Sequence, residues 1–400
     1  MKFLKRKYSG TPRETLPMRV IDFFVDLYSM VFYKRRKLTD VSVDAPKILI
    51  ASLGHLGDAL TTTYIFPIIK AKYPKAQIDL LAPKWCQAIN QINPYINQLI
   101  TLNHFQTNRQ NISFWAKVVD HYRSFKEALP LLRASEYDYY IDLRYSNAVA
   151  HFILPFIKVK KAYGFSRRGL GGLLDKEFEL PTAEFHHFDM YLMLLKEIGV
   201  EGDLASVKPY LYLPADLTLH NVLQKIPSIG SDYCLVFPES GHPQRQLSSA
   251  YWAQMLTKIL EEKPLSIVFC GQTSFSAQII SQINTAYASY LIDSSSQINI
   301  YEIAVLAKSA SFAITLDSFP EHLCCVFCPT FTFYKSAGYP FFPIANFPVY
   351  LKHNHIRSAG LKFDRSNVLV EYVEPLETLE VQSKVVGQIQ TILKSSVSEA

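Results

Sequence analysis

Short apolar runs alternate along most of this chain with longer segments in which apolar residues recur at helical spacing. The pattern is clearest at residues 47–63, KILIASLGHLGDALTTT. Ile48 to Ala51 form an unbroken apolar run suited to a buried strand. A turn through Gly54, His55 and Gly57 follows, and a segment of helical character opens at Asp58. The same alternation predicts strands at 76–82, 99–102, 137–143 and 162–165. Helices are predicted over 60–72, 85–92, 113–135 (interrupted at Pro130), 148–157 and from His186 to Ile198. After a crossing segment at 208–214 the pattern restarts. Strands then fall at 233–237, 265–270, 290–293 and 312–316, with helices over 248–262, 274–286, 300–307 and 376–394. Such alternation implies parallel, doubly wound α/β sheets. The expected organisation is an N-terminal extension over 1–46, two α/β domains over 47–212 and 213–375, and a C-terminal helix over 376–400. Ligands of such sheets bind outside the carboxyl ends of the strands, and two such domains predict a cleft between them as the site.

Composition narrows this picture. With 400 residues and 49% apolar content the chain is long enough for two cores. Its net charge is +6, and residues 1–46 hold ten Lys and Arg against five Asp and Glu. The basic excess therefore belongs to the extension, and the near-neutral remainder argues against a nucleic-acid groove. Six cysteines are too few for a disulfide framework in a chain of this length. Cys324, Cys325 and Cys328 (CCVFC) have no second Cys/His pair at ligand spacing, so they are expected as small buried side chains in a reducing compartment. The turn at Gly54 and Gly57 lacks the GxGxxG fingerprint, which leaves Asp79 an ordinary strand-end acid, and no P-loop occurs.

The extension does not have the shape of a signal peptide. Residues 18–33 are strongly apolar, yet Arg19, Asp22, Asp26 and Ser29 recur at three- and four-residue spacing and draw one narrow polar stripe along a helix. Two carboxylates and an arginine argue against a bilayer span. Lys2, Lys5, Arg6 and Lys7 precede the helix, and Lys34-Arg35-Arg36-Lys37 follows it. An apolar face between cationic clusters suits an anionic leaflet surface. The other reading is a helix packed on the protein's own body or on a second subunit.

Candidate chemistry gathers at strand ends. Asp58 stands just after the first strand. Ser240 to Gln246 (SGHPQRQ) follows another, with Arg245 as a fixed positive charge, and Asp317-Ser318 closes a third where a helix begins. A guanidinium and helix-terminal N–H groups are what a diphosphate needs. A surface salt bridge for Arg245 and a helix N-cap for Asp317 are the plainer readings. His186 and His187 point to different helix faces, which argues against a shared metal. Asp175, Glu177 and Glu179 alternate as a solvated strand face. Arg167-Arg168, with Lys158, Lys160 and Lys161, fits either acceptor phosphates or a solvated basic loop.

Four stretches together carry a family resemblance: KILIASLGHLGDALTTT; YDYYIDL with AYGF; FPESGHPQRQLSSAYWAQML; and DSFPEHL. Over about 47–350 the chain resembles the heptosyltransferases of glycosyltransferase family 9. The resemblance implies the GT-B architecture, two Rossmann-like domains facing an interdomain cleft. It further implies inverting transfer of a sugar from a nucleotide diphosphate, usually ADP-heptose, to lipid A–core at the inner leaflet. The protein would then be cytoplasmic and peripheral on the inner membrane, with no resident cofactor. By this resemblance Asp58 matches the family's base. Arg245 matches a phosphate-contacting lysine, and Ser240 and Gly241 match small residues beside it. Asp317, Ser318 and His322 match an Asp-Ser/Thr-Gly-x-x-His turn, and His186 matches a histidine before the last helix of the first domain. Gly54, His55 and Gly57 then shape the turn that aims Asp58. The chemistry agrees: an attacking hydroxyl needs a carboxylate to take its proton, and a departing diphosphate needs positive charge. With no DxD metal motif, Arg245 and helix dipoles would replace a divalent ion. Phe319 stands where the family has glycine, Glu321 adds a carboxylate to the same turn, and Tyr64 replaces a proline. These departures imply rearranged phosphate contacts in a divergent member, and they keep open the alternative of a non-catalytic nucleotide- or glycan-binding relative at the membrane.

Overall fold

The structure, a computed structural model, describes residues 6–8, 12–31, 44–146, 148–180, 185–226, 228–335, 342–354 and 367–398. Lys2, Lys5 and the Lys34-Arg35-Arg36-Lys37 cluster lie outside them. The chain divides into two compact units, Met1–Val207 and Lys208–Ala400.

In the first unit, β1 (Lys47–Ala51), β2 (Gln77–Ala82), β3 (Gln98–Thr101), β4 (Glu136–Asp142), β5 (Lys158–Phe165) and β6 (Lys176–Phe178) form one sheet in the order β3-β2-β1-β4-β5-β6. Every pairing is parallel. Burial on both faces explains the unbroken apolar run of β1, whose Ile48, Leu49, Ile50 and Ala51 are fully buried. In the second unit, β7 (Tyr233–Val236), β8 (Ser266–Phe269), β9 (Leu291–Asp293), β10 (Phe312–Leu316), β11 (Thr330–Tyr334), β12 (Val349–His353) and β13 (Val368–Tyr372) pair in the order β13-β12-β11-β10-β7-β8-β9, again all parallel. Both sheets therefore repeat one winding. The first strand lies beside the fourth, and strand order reverses between them. The doubly wound Rossmann-like architecture expected from sequence is what is found.

Several elements differ from expectation for local reasons. The helix expected over 60–72 starts earlier and breaks in two, α2 (Leu56–Thr63) and α3 (Ile65–Lys72). The Thr61 and Thr63 hydroxyls donate to the Gly57 and Leu60 carbonyls, and Pro67 has no N–H to continue the ladder. The segment expected as a helix over 85–92 is a 3-10 turn running into α4 (Gln87–Asn90). That expected over 148–157 is only a 3-10 turn, His151–Phe156. Ala148 enters it at φ 64° and Pro155 lies inside it. In α5 (Phe114–Arg133), Pro130 is accommodated without a break. After α6 (His187–Lys196) and α7 (Leu219–Lys225) come α8 (Ser249–Glu262), α9 (Phe275–Ile280) and α10 (Ile300–Ala307). The short α11 (Phe319–Cys324) follows β10, and the terminal α12 (Leu379–Ser398) packs Val385 and Ile389 into the core that holds Trp252, Met255 and Leu256 of α8. All six cysteines are free and buried.

The extension contributes α1 (Pro12–Val31). The two carboxylates of its polar stripe, Asp22 and Asp26, face the body of the first unit, while Arg19 stays exposed. The Arg6 guanidinium donates to Asp22 at 3.1 Å, to Asp26 at 2.9 Å and to Glu177 at 2.6 Å. Asp22 also accepts the Tyr8 hydroxyl at 2.7 Å and the Leu170 N–H at 2.5 Å. Glu177 thus belongs to a buried ion network. Asp175 accepts the Ala162 N–H at 2.6 Å. These contacts correct the expectation of a solvated face at Glu177 alone, since Asp175 and Glu179 are exposed. The same contacts also brace the loop between β5 and β6, which carries Arg167 and Arg168. Among the described residues no helix is long and apolar enough to cross a membrane.

Candidate functional site

In an open doubly wound sheet, ligands bind where strand order reverses, beyond the carboxyl ends of the strands. In the first unit that point lies between β1 and β4, and one charged group arrives from each. Asp58 stands in the first turn of α2, and its Oδ2 accepts the His55 N–H at 2.8 Å. The Trp85 indole N–H fixes the preceding turn by donating to the Gly54 carbonyl at 3.0 Å. A Cβ on Gly54 would sit 2.4 Å from Asp58 Oδ2, so this position must be glycine for the carboxylate to fold back over the turn. Gly54→Ala is expected to destabilise the protein by about 1–3 kcal/mol through overpacking, read by urea unfolding. Unchanged stability would show that the turn yields.

Beyond β4, Arg144 places Nη1 2.9 Å from Asp58 Oδ2. Asp142 positions that loop, because its carboxylate accepts the N–H groups of Arg144 at 3.0 Å and of Ala150 at 2.6 Å. The side chains of Asp58 and Arg144 are only 20% and 10% exposed. Burial opposes charge on Asp58. The Arg144 guanidinium, the His55 N–H and the nearby His55 and His187 rings outweigh it and hold the carboxyl below the usual carboxylate range. Burial likewise opposes charge on Arg144, and Asp58 reverses that effect, so the pair stays ionic. Burial, then Tyr191 and Asp58, pushes the Tyr145 hydroxyl above its ordinary range, and burial, then Asp58, does the same to Tyr191. Arg167 lies close enough to Tyr145 to act on it electrostatically, and Arg168 is half-buried in the same loop. His186 is the N-cap of α6. Its Nδ1 accepts the Phe188 N–H at 3.2 Å, and Asp189 accepts the His186 N–H at 2.8 Å.

The second unit repeats the arrangement with the charges exchanged. Arg245 follows β7 and Asp317 follows β10, with Nη1 3.0 Å from Oδ2. Glu239 ties the Arg245 loop to the end of β8 by accepting the N–H groups of Gln272 and Thr273, each at 3.1 Å. Ser240 Oγ accepts the His242 N–H at 3.3 Å, and Gly241 is exposed beside it. Ser318, rather than Asp317, is the N-cap residue of α11, and its hydroxyl donates to the Leu316 carbonyl at 3.2 Å. His322 follows, half-buried. Beneath lies Glu321, fully buried, accepting the Tyr334 hydroxyl at 2.7 Å. Burial, then the charge of Asp317, drives the Glu321 carboxyl well above the usual range, and Tyr334 and Arg245 offset this only in part. Burial thus favours the neutral form of the Glu321 carboxyl, which lies out of solvent.

The strand-end reading thus locates Asp58, Arg245 and Asp317 at two switch points. It overlooks Arg144, His187 and Tyr191. Arg144 carried one usable signal, its place directly after YDYYIDL at a strand's carboxyl end. Among the described residues no His, Cys, Asp and Glu cluster has the makings of a metal site.

The family model described as glycosyltransferase family 9 (heptosyltransferase) matches residues 125–359. Lipopolysaccharide heptosyltransferase 2 of Salmonella typhimurium is 34% identical over 56 residues, 14% of this chain. That match spans 16% of the relative's length. Among solved structures, a family 9 glycosyl transferase from Veillonella parvula superposes with a TM-score of 0.67 at 17% identity, covering 90% of this chain and all of that one. The Escherichia coli ADP-heptose lps heptosyltransferase II gives 0.64 at 17% identity, covering 88% of this chain and all of its own. At such identities these two structures establish the GT-B fold.

Proposed function

The chain belongs to glycosyltransferase family 9, and on that premise we propose that it transfers a sugar, with heptose favoured, from a nucleotide diphosphate to a lipopolysaccharide-core or related glycolipid acceptor at the cytoplasmic face of the inner membrane. The observation that carries this reading is the ionised Asp58 held at the switch point of the first sheet. An acceptor hydroxyl attacks the anomeric carbon and a new C–O bond forms. The bond to the diphosphate breaks, its electron pair leaves with the diphosphate oxygen, and the hydroxyl proton passes to Asp58. Attack opposite the leaving group inverts the anomeric centre. Arg144 orients the Asp58 carboxylate. Arg245 meets the charge that develops on the diphosphate, the part a divalent ion plays elsewhere.

A second reading, a non-catalytic nucleotide- or glycan-binding relative, is favoured by one observation. Arg245 is already neutralised by Asp317, in a turn where Phe319 replaces glycine. Thermal-shift titration with ADP, UDP and GDP, free and as sugar conjugates, tests for the donor site, and transfer of labelled sugar to an acceptor separates the two. A donor site is expected to add about 2.7 kcal/mol at a hundred times Kd for the cognate nucleotide. No shift with any of them, and no transfer of labelled sugar to a lipid A–core acceptor, overturns the first reading.

A further inference from the structure

The first unit turns apolar surface outward on two helices that lie over the same face of its sheet. With Asp22 and Asp26 drawn inward to Arg6, α1 leaves Val20, Phe24, Leu27 and Met30 exposed, at 52%, 61%, 47% and 74%. On α5, Phe114, Trp115, Val119 and Tyr122 are exposed at 58%, 73%, 54% and 61%. Val25 of α1 and Phe125 of α5 pack against one hydrophobic cluster, which takes Leu49 from β1, Tyr140 from β4 and Ala162 from β5. Those three are register partners on one face of the sheet. Large apolar side chains gathered on particular faces, rather than scattered, mark an interaction surface.

We propose that α1 and α5 together form a docking face for a lipid leaflet bearing anionic headgroups. Charge selects this occupant. Arg13 and Arg19 on α1, and Arg123 and Lys126 on α5, are exposed beside the apolar residues, and Lys7 is exposed while paired with Glu179 at 3.4 Å. The sequence beyond α1 continues into Lys34-Arg35-Arg36-Lys37. Apolar residues with Trp and Tyr among cations suit the headgroup boundary, and each cation near an anionic leaflet adds attraction. A second copy docking through the same face would bring these cations against their own counterparts. The inference goes beyond the transfer reading, since docking needs neither donor nor acceptor.

The full chain, sedimented with vesicles of phosphatidylcholine alone or mixed with phosphatidylglycerol, tests it. Binding to the mixed vesicles, weakened by salt, is expected. Phe24→Asp with Met30→Asp, and separately Trp115→Ala with Tyr122→Ala, are each expected to lower that binding about tenfold or more. All four side chains are exposed, so folding is expected to be preserved, and a ligand-free thermal melt with the far-UV circular dichroism spectrum serves as the check. No binding to either vesicle, or undiminished binding in either double variant, overturns the proposal. So does concentration-dependent self-association, seen by light scattering, that the same variants abolish, because a second copy then covers this face.

Discussion

Asp58→Asn is expected to lower kcat/KM for sugar transfer by about 100- to 10,000-fold while leaving the nucleotide-induced thermal shift intact. The asparagine keeps the size of the side chain and its acceptor oxygen for the His55 N–H. It loses the capacity to take a proton and the ion pair to Arg144. The pH profile adds a second readout. Arg144 and its neighbours hold the Asp58 carboxyl below the usual carboxylate range, so the base stays ionised, and the acidic limb of the wild-type profile lies below that range as well. Arg144→Met removes the largest of these stabilising influences and is expected to move the limb to higher pH. Stability follows the same sign. A depressed folded-state pKa contributes stability above the unfolded carboxylate's pKa, and that contribution is lost as pH falls through the folded value. Undiminished turnover in Asp58→Asn would remove Asp58 from the mechanism.

The second large effect is expected at Arg245. Arg245→Gln should lower kcat/KM about 100- to 1,000-fold and shrink the stabilisation given by the cognate nucleotide diphosphate. Two losses add. The developing charge on the leaving diphosphate has no guanidinium to meet it, and Asp317, 3.0 Å away in the wild type, then presents an uncompensated carboxylate to the incoming phosphates. Arg245→Lys restores a point charge without the planar fork and is expected to recover most of the loss. Rescue by lysine but not glutamine identifies a phosphate contact. Equal damage from both points instead to a purely structural tie between β7 and β10.

Sequence pattern carried the sheet cores and the carboxyl-end turns, since those are written locally. Ile300 to Ala307 and Phe312 to Leu316 are helix and strand at their expected bounds. The strands β11, β12 and β13 were not legible. TFTFY, VYLKH and VLVEY follow one another with no run of helically spaced apolar residues to announce a crossover, so the sequence signal for parallel strands is weak here. The apolar run at 148–157 has helical length, but φ 64° at Ala148 and Pro155 restrict it to a 3-10 turn. At the site, Asp58 is legible because a glycine turn and a helix start bracket it. Arg144 is legible only as a strand-end residue, because its partner lies across a strand crossover and no local spacing reports the 2.9 Å contact. The polar stripe of α1 could be drawn from spacing alone, whereas the direction it faces depends on Glu177.

That last contact sets a timetable. Arg6 and Glu177 are 171 residues apart. At about 5–20 residues per second, ribosomal synthesis takes on the order of 10–30 s to cover that interval. During it, Arg6, Asp22 and Asp26 already exist, but Leu170, Glu177 and the sheet face that receives Val25 do not. Most helical stability in proteins comes from tertiary packing, so the nascent arm waits without the surface that holds it. On the docking proposed above, a leaflet reached in that interval meets the arm before the body does.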